Sequence, residues 1–184
     1  MKGRLIRIVS LMSSLCLLHM VFFLPSAGAD EPVHGVGDVL QWLIPATGFA
    51  ATYVHDDAEG RWQFLPSMAV SLGITSGLKE IVHEQRPNGG QHSFPSGHTS
   101  SAFQGAAFLQ RRYGWKWGIP AYAATTYTGW SRVELKAHYP RDVFAGAAIG
   151  ILSSYAFTTP YCKDVEVSAV VADNYCGLSM RATW

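Results

Sequence analysis

The chain is 184 residues long, which gives room for one domain with a sizeable core and not for two. Hydrophobic residues make up 48% and charged residues only 15%, well under the usual quarter; this excludes a disordered chain and points to a membrane or a tightly packed helical core. The formal net charge is +1 with no block of like charge, which excludes a nucleic-acid footprint, and the mean hydropathy of +0.10 is modest for a chain made mostly of membrane spans.

The first thirty residues have the form of an export signal. Lys2, Arg4 and Arg7 make a positive start, residues 8–29 carry no Asp, Glu, Lys or Arg, and Ala27-Gly28-Ala29 supplies the small-x-small site of a signal peptidase. Residues 1–29 are therefore expected to be a signal peptide, with an uncleaved N-terminal anchor as the alternative. Cleavage removes three positive charges and one of three cysteines. Cys162 and Cys176 then remain in an oxidising compartment, where a disulfide between them would staple the C-terminal tail.

Five helices are expected along residues 30–160. The first covers about 39–54 and is interrupted by Pro45, and the second runs over 65–84. The third covers 96–111, with Gly114 after it, and the fourth 117–130. The fifth is opened by Pro140 and covers 140–157, with Pro160 beyond. The uncharged stretches 39–55 and 62–78 are each 17 residues, and 143–162 is 20, against the roughly 20 apolar residues a span requires. They also carry Gln, Ser, Thr and Gly freely. The expectation is an all-α helical bundle, peripheral to or partly embedded in a membrane. In the tail, 161–184, apolar residues alternate on both sides of Asp173-Asn174, which predicts a two-stranded β-hairpin.

Three segments carry chemistry. Lys79 and Arg86 are seven residues apart, almost two helical turns, so both cations fall on one helix face, and Pro87 ends the helix. In Pro95-Ser96-Gly97-His98, Ser96 and Gly97 open a helix whose free N–H groups can cradle an anion, with His98 at the mouth. In the third, His138 precedes Pro140 and Asp142 lies in the first turn of the fifth helix. There Asp142 is placed to accept a hydrogen bond from the His138 ring, fixing its tautomer and freeing the other ring nitrogen. Arg132 adds a third cation. A phosphomonoester dianion needs such a set of positive groups, and no Asp/Glu/His cluster with convincing metal-ligand spacing appears elsewhere, so neither metal nor cofactor is expected.

In order, these segments read Lys, six residues, Arg-Pro; Pro-Ser-Gly-His; Ser-Arg, five residues, His, three residues, Asp. This resembles the signature of the type 2 phosphatidic acid phosphatase superfamily, which also includes bacterial class A acid phosphatases and vanadium haloperoxidases. The match covers 79–142 and is complete. Its one departure is a short link, seven residues between Pro87 and Pro95. The resemblance implies a helical bundle of that family's type and a phosphatase with these roles: His138 as the nucleophile that takes the phosphoryl group, Asp142 as its orienting partner, and His98 as general acid and then base. Lys79, Arg86, Arg132, Ser96 and the Gly97 amide would bind phosphate. His83 and His92 border these segments, while Glu80, Glu84 and Glu134 are expected to neutralise nearby cations.

The expected activity is hydrolysis of a lipid phosphate or diphosphate, such as phosphatidic acid or undecaprenyl diphosphate, at the cell envelope, on the periplasmic side of the inner membrane. A phosphorylated lipid and a membrane surface would be its partners. A soluble periplasmic acid phosphatase, a vanadate-dependent haloperoxidase and a non-catalytic envelope protein are the other readings of the same residues.

Overall fold

In the computed structural model, backbone is described for residues 32–161, 164–172 and 175–183, and side chains for 35–161. The expected leader over 1–29, Cys162 of the expected disulfide and the Asp173-Asn174 turn lie outside the described residues.

The described chain forms α1 (Pro32–Val54), α2 (Ala58–Ile81), α3 (Gly97–Tyr113), α4 (Trp115–Glu134), α5 (Pro140–Phe157), and then β1 (Asp164–Ala172) and β2 (Tyr175–Thr183). The strands pair antiparallel, with Asp164 opposite Thr183 and Val171 opposite Cys176. The all-α bundle holds, and the tail forms a hairpin.

Local chemistry sets most helix ends. Asp57 caps α2, its carboxylate accepting from the Gly60 amide at 2.8 Å. That cap starts the helix seven residues before the expected Leu65. Ser96 caps α3, and Gly114 ends it at a φ of +88°, a backbone state that glycine adopts without cost. Pro140 opens α5 at the expected residue. Pro45 does not interrupt α1 as expected. It is fully buried at a crossing so close that a Cβ on Gly105 of α3 would lie 2.6 Å from the Pro45 Cα, and this packing holds the helix continuous.

α3 is the axis of the bundle. Most of its length is buried, and the buried side chains are mainly small: Thr99, Ser100, Ser101, Ala102, Ala106 and Ala107. Small residues let the neighbouring backbones come close. A Cβ on Gly146 of α5 would lie 2.5 Å from the Ser96 carbonyl, and one on Gly150 would lie 2.3 Å from that of Ser100. Two apolar clusters complete the core: Ile44, Ala102, Ala106, Leu109 and Ala121, and Phe64, Met68 and Phe108.

At the C-terminal end of α3, Arg112 and Asp57 form a buried bidentate pair, with Nη2–Oδ1 at 2.5 Å and Nε–Oδ2 at 2.6 Å. Tyr113 donates to the same carboxylate at 2.9 Å. Arg112 Nη1 also donates to the Thr159 carbonyl at 3.0 Å, and the Tyr161 amide donates to the Arg112 carbonyl at 2.7 Å, which ties the chain after α5 to this end.

Candidate active site

The other end of α3 gathers the chemical residues. α2 stops at Ile81, so Lys79 lies in its last turn and Arg86 in the link that follows. The two cations do not share a helix face as their spacing suggested. The residue before a proline is steered to extended backbone, and the link closes on itself through Ser93 N–H to Glu84 O at 2.8 Å and Arg86 N–H to Gly90 O at 2.7 Å. The cations still converge. Lys79 Nζ donates to the His92 carbonyl at 2.8 Å, and Arg86 Nε donates to the Gln91 carbonyl at 3.1 Å. Burial, then the charge of Arg86, push the Lys79 ammonium down to about 8.

At the start of α3, the Ser96 Oγ accepts from the Thr99 amide at 3.4 Å and from its hydroxyl at 2.9 Å. Ser96 was expected to offer its hydroxyl to phosphate. It is fully buried and caps the helix, and as an acceptor in both bonds it keeps its own O–H as a donor. The first amides, those of Gly97 and His98, have no intrahelical acceptor. A Cβ at Gly97 would come into van der Waals contact with Lys79 Cε and Thr75 Cγ2, both at 3.8 Å, which places the Lys79 side chain beside this helix start.

His138 is 2% exposed and Asp142 is fully buried. Asp142 was expected to accept a hydrogen bond from the His138 ring. His138 Nδ1 faces Asp142 Oδ2, but at 3.6 Å, beyond hydrogen-bond length. That oxygen is taken by the Ser93 hydroxyl at 2.5 Å and the Tyr139 amide at 3.0 Å. His138 Nδ1 is enclosed without a partner, and Nε2 makes no hydrogen bond to the described protein. Burial, then Lys79, Arg86 and His98, push the His138 imidazolium down to about 3, against the opposing pull of Asp142. The ring is therefore neutral at physiological pH, with a lone pair to use.

His98 Nε2 lies 3.0 Å from Oδ1 of Asp38 in α1, and Arg132 Nη1 donates to the same oxygen at 2.6 Å. Burial lowers the His98 pKa, opposed by the Asp38 hydrogen bond, and Arg132 and Arg86 also act on the ring. Lys79, Arg86, Arg132, His98, His138 and the Gly97 amide thus surround one site. His83 and His92 flank it, with ring centroids 5.8 Å apart, and Glu84 pairs with Arg141 on the outside.

The sequence pattern of the PAP2 superfamily matches residues 60–163. The chain belongs to that superfamily. PAP2 relatives in bacteria include lipid A 4'-phosphatase of Helicobacter pylori, 30% identical over 162 residues that make up 80% of this chain and 81% of that protein. Undecaprenyl-diphosphatase BcrC of Bacillus subtilis is 33% identical over 83 residues, 44% of this chain and 41% of that protein. Among solved structures, Aquifex aeolicus LpxE shares the fold, with a TM-score of 0.62 at 20% identity over 77% of this chain and 92% of that one. As a PAP2 protein the chain is a hydrolase of phosphate esters.

The candidate site also includes residues that the sequence did not single out. Asp38 joins His98 to Arg132, and Ser93 holds Asp142. Gly37 lets α1 touch α4, since a Cβ there would lie 2.4 Å from Ser131 Oγ and 2.5 Å from Arg132 Nη2. A carboxylate at the start of an otherwise uncharged helix was the one available signal for Asp38.

Proposed function

We propose that this PAP2 phosphatase hydrolyses a lipid phosphate or diphosphate at the outer side of the inner membrane, without a metal, through a phosphohistidine. The observation that carries the mechanism is an enclosed His138 with Nδ1 toward Asp142, within the influence of Lys79, Arg86 and His98. Nε2 of His138 attacks phosphorus, and the P–O bond to the leaving group breaks while His98 gives that oxygen a proton. Water then attacks phosphorus, His98 takes its proton, and the P–N bond breaks to release phosphate and restore His138. Lys79, Arg86, Arg132 and the Gly97 amide spread positive charge over the equatorial oxygens, where the transition state concentrates negative charge. Asp142, held by Ser93 and the Tyr139 amide, places a carboxyl oxygen 3.6 Å from Nδ1, where it stabilises the ring as it becomes positive.

Two observations support a lipid substrate. The named relatives act on lipid A and on undecaprenyl diphosphate. The bundle also carries many Ser and Thr beside its apolar core clusters, while large apolar side chains stand on its surface: Ile81 and Phe144 are each 75% exposed and Leu152 is 68% exposed.

The test is phosphate release by the purified protein, without added metal, from phosphatidic acid, undecaprenyl diphosphate, lipid A and soluble esters, with His138→Ala beside it. We expect turnover of at least one lipid, and a loss of at least about 10³-fold in His138→Ala. Turnover confined to soluble esters removes the lipid assignment, and an unimpaired His138→Ala removes the mechanism. A soluble periplasmic acid phosphatase is the second reading, favoured by one observation: among the described residues no helix is long and apolar enough to cross a membrane. Release of the protein by osmotic shock would support that reading, and retention in the membrane fraction the first.

A further inference from the structure

We propose that Asp38 is the positioning residue for proton transfer: it holds His98 by Nε2 and makes Nδ1 the nitrogen that exchanges the proton with the leaving oxygen and with water. The inference rests on the phosphohistidine reading and adds a residue outside the 79–142 signature.

Asp38 is the one charged residue in the sequence of α1. Its Oδ1 is shared by His98 Nε2 at 3.0 Å and Arg132 Nη1 at 2.6 Å. The approach that puts it there is built into the fold, because Gly37 has no Cβ to collide with Ser131 and Arg132. An ionised carboxylate only accepts hydrogen bonds, so the His98 nitrogen facing it must carry hydrogen. In the neutral ring this leaves the lone pair on Nδ1, and in the imidazolium it leaves Nδ1–H as the proton not already engaged. The His98 hydrogen bond is the largest influence on Asp38; with Arg132, and against burial, it holds the Asp38 carboxyl below its ordinary range, so the carboxylate is ionised throughout the working range. The groups facing His98 are Asp38 from α1, Arg132 from α4, Arg86 from the link and His138 ahead of α5, with Lys79 of α2 next to Gly97. Asp38 is the carboxylate among them that bonds the ring directly, against a set of positive groups that disfavour its protonated form.

The atoms balance through both halves of the reaction. As His138 Nε2 bonds to phosphorus and the ester P–O bond breaks, the proton on His98 Nδ1 moves to the departing oxygen, leaving a neutral ring with Nε2–H on Asp38. As water bonds to phosphorus and the P–N bond breaks, His98 Nδ1 takes the water proton and the imidazolium returns.

The experiment compares the full-length protein with Asp38→Asn on an alkyl phosphate and on p-nitrophenyl phosphate, whose leaving oxygen needs little protonation. Asparagine keeps an acceptor for Arg132 and removes the charge. On the alkyl ester we expect kcat to fall about 10–100-fold with KM changed less than about threefold, and on the aryl ester a fall below about threefold. The alkaline limb of the alkyl-ester profile should move to lower pH, because the charge favouring the imidazolium is gone. In a His98→Ala background, Asp38→Asn should add less than about threefold. Equal losses on both esters, an unmoved limb, or a full effect without His98 would overturn the proposal. The wild-type protein supplies a check that needs no variant: ¹⁵N shifts of neutral His98 must show hydrogen on Nε2, and hydrogen on Nδ1 overturns the proposal outright. If His138→Ala is inactive while Asp38→Asn matches wild type, this inference falls and the phosphohistidine reading stands; if His138→Ala is active, both fall.

Discussion

Lys79 is a cation of the candidate site whose charge is sensitive to mildly alkaline pH. Burial and the neighbouring Arg86 bring its ammonium down to about 8, so it loses its proton, and the site loses one positive charge, as pH rises through that value. Inhibition by inorganic phosphate should therefore weaken above pH 8 in the wild-type protein. Lys79→Arg, whose guanidinium stays charged, should lose that dependence even if its affinity at neutral pH is lower. Affinity that is flat from pH 7 to 10 in the wild type would show that Lys79 does not bind the anion. At this scale the sequence was informative wherever residues came in short runs. Ser96, Gly97 and His98 stand together at a helix start, and His138 and Asp142 straddle Pro140, so spacing and punctuation exposed them. Asp38 is 60 residues from its partner His98, and Ser93 is 49 from Asp142; neither pair has a local spacing to read, and only the folded bundle brings them together. The Asp142 geometry was misjudged for a related reason. Once Ser93 and the Tyr139 amide occupy its Oδ2, that oxygen lies 3.6 Å from the ring.

Among the elements, the contact between α3 and α5 fixes where the two histidines stand. His98 rides on the first turn of α3 and His138 immediately precedes α5. Gly146 and Gly150 let the two backbones touch. A methyl group at position 150 would overlap the Ser100 carbonyl and the Gln104 amide, which are backbone and cannot swing aside. Gly150→Ala should therefore cost about 1–3 kcal/mol of stability, read as a lower Tm. It should also lower kcat at temperatures where the variant is fully folded, since α5 and its neighbouring histidine must shift outward. An unchanged Tm would mean that the helices can part without strain. Helix identity was largely legible, and α5 was placed to the residue, because Pro140 and the end of the apolar run are local signals. The passage of α1 through Pro45 was not. The residue packed against Pro45 is Gly105, sixty residues away, and a proline in isolation argues for a break. The early start of α2 turns on Asp57, a cap whose other partners, Arg112 and Tyr113, are equally remote in sequence.

Across the whole molecule, the candidate active site and the Asp57–Arg112 anchor occupy opposite ends of α3. From Gly97 to Arg112 the helix rises roughly 22 Å. At the far end, burial alone would raise the Asp57 pKa, but hydrogen bonds from Arg112, Gly60 and Tyr113 outweigh it and hold the carboxyl below its ordinary range. Asp57→Asn removes the carboxylate bonded to the buried guanidinium, leaving only the exposed Glu59, 3.7 Å from Nη2, as counter-charge, and should cost about 3–5 kcal/mol. Thermal unfolding should show that loss, while kcat per folded molecule stays at the wild-type value well below the new Tm. A matching drop in kcat would mean that the two ends are coupled. The separation has a practical consequence. If the two ends are uncoupled as expected, the Asp57–Arg112 end is where this protein can be made sturdier: substitutions that tighten its grip on residues 159–161 act a full helix length away from the candidate site, so thermal tolerance would rise without a loss of turnover.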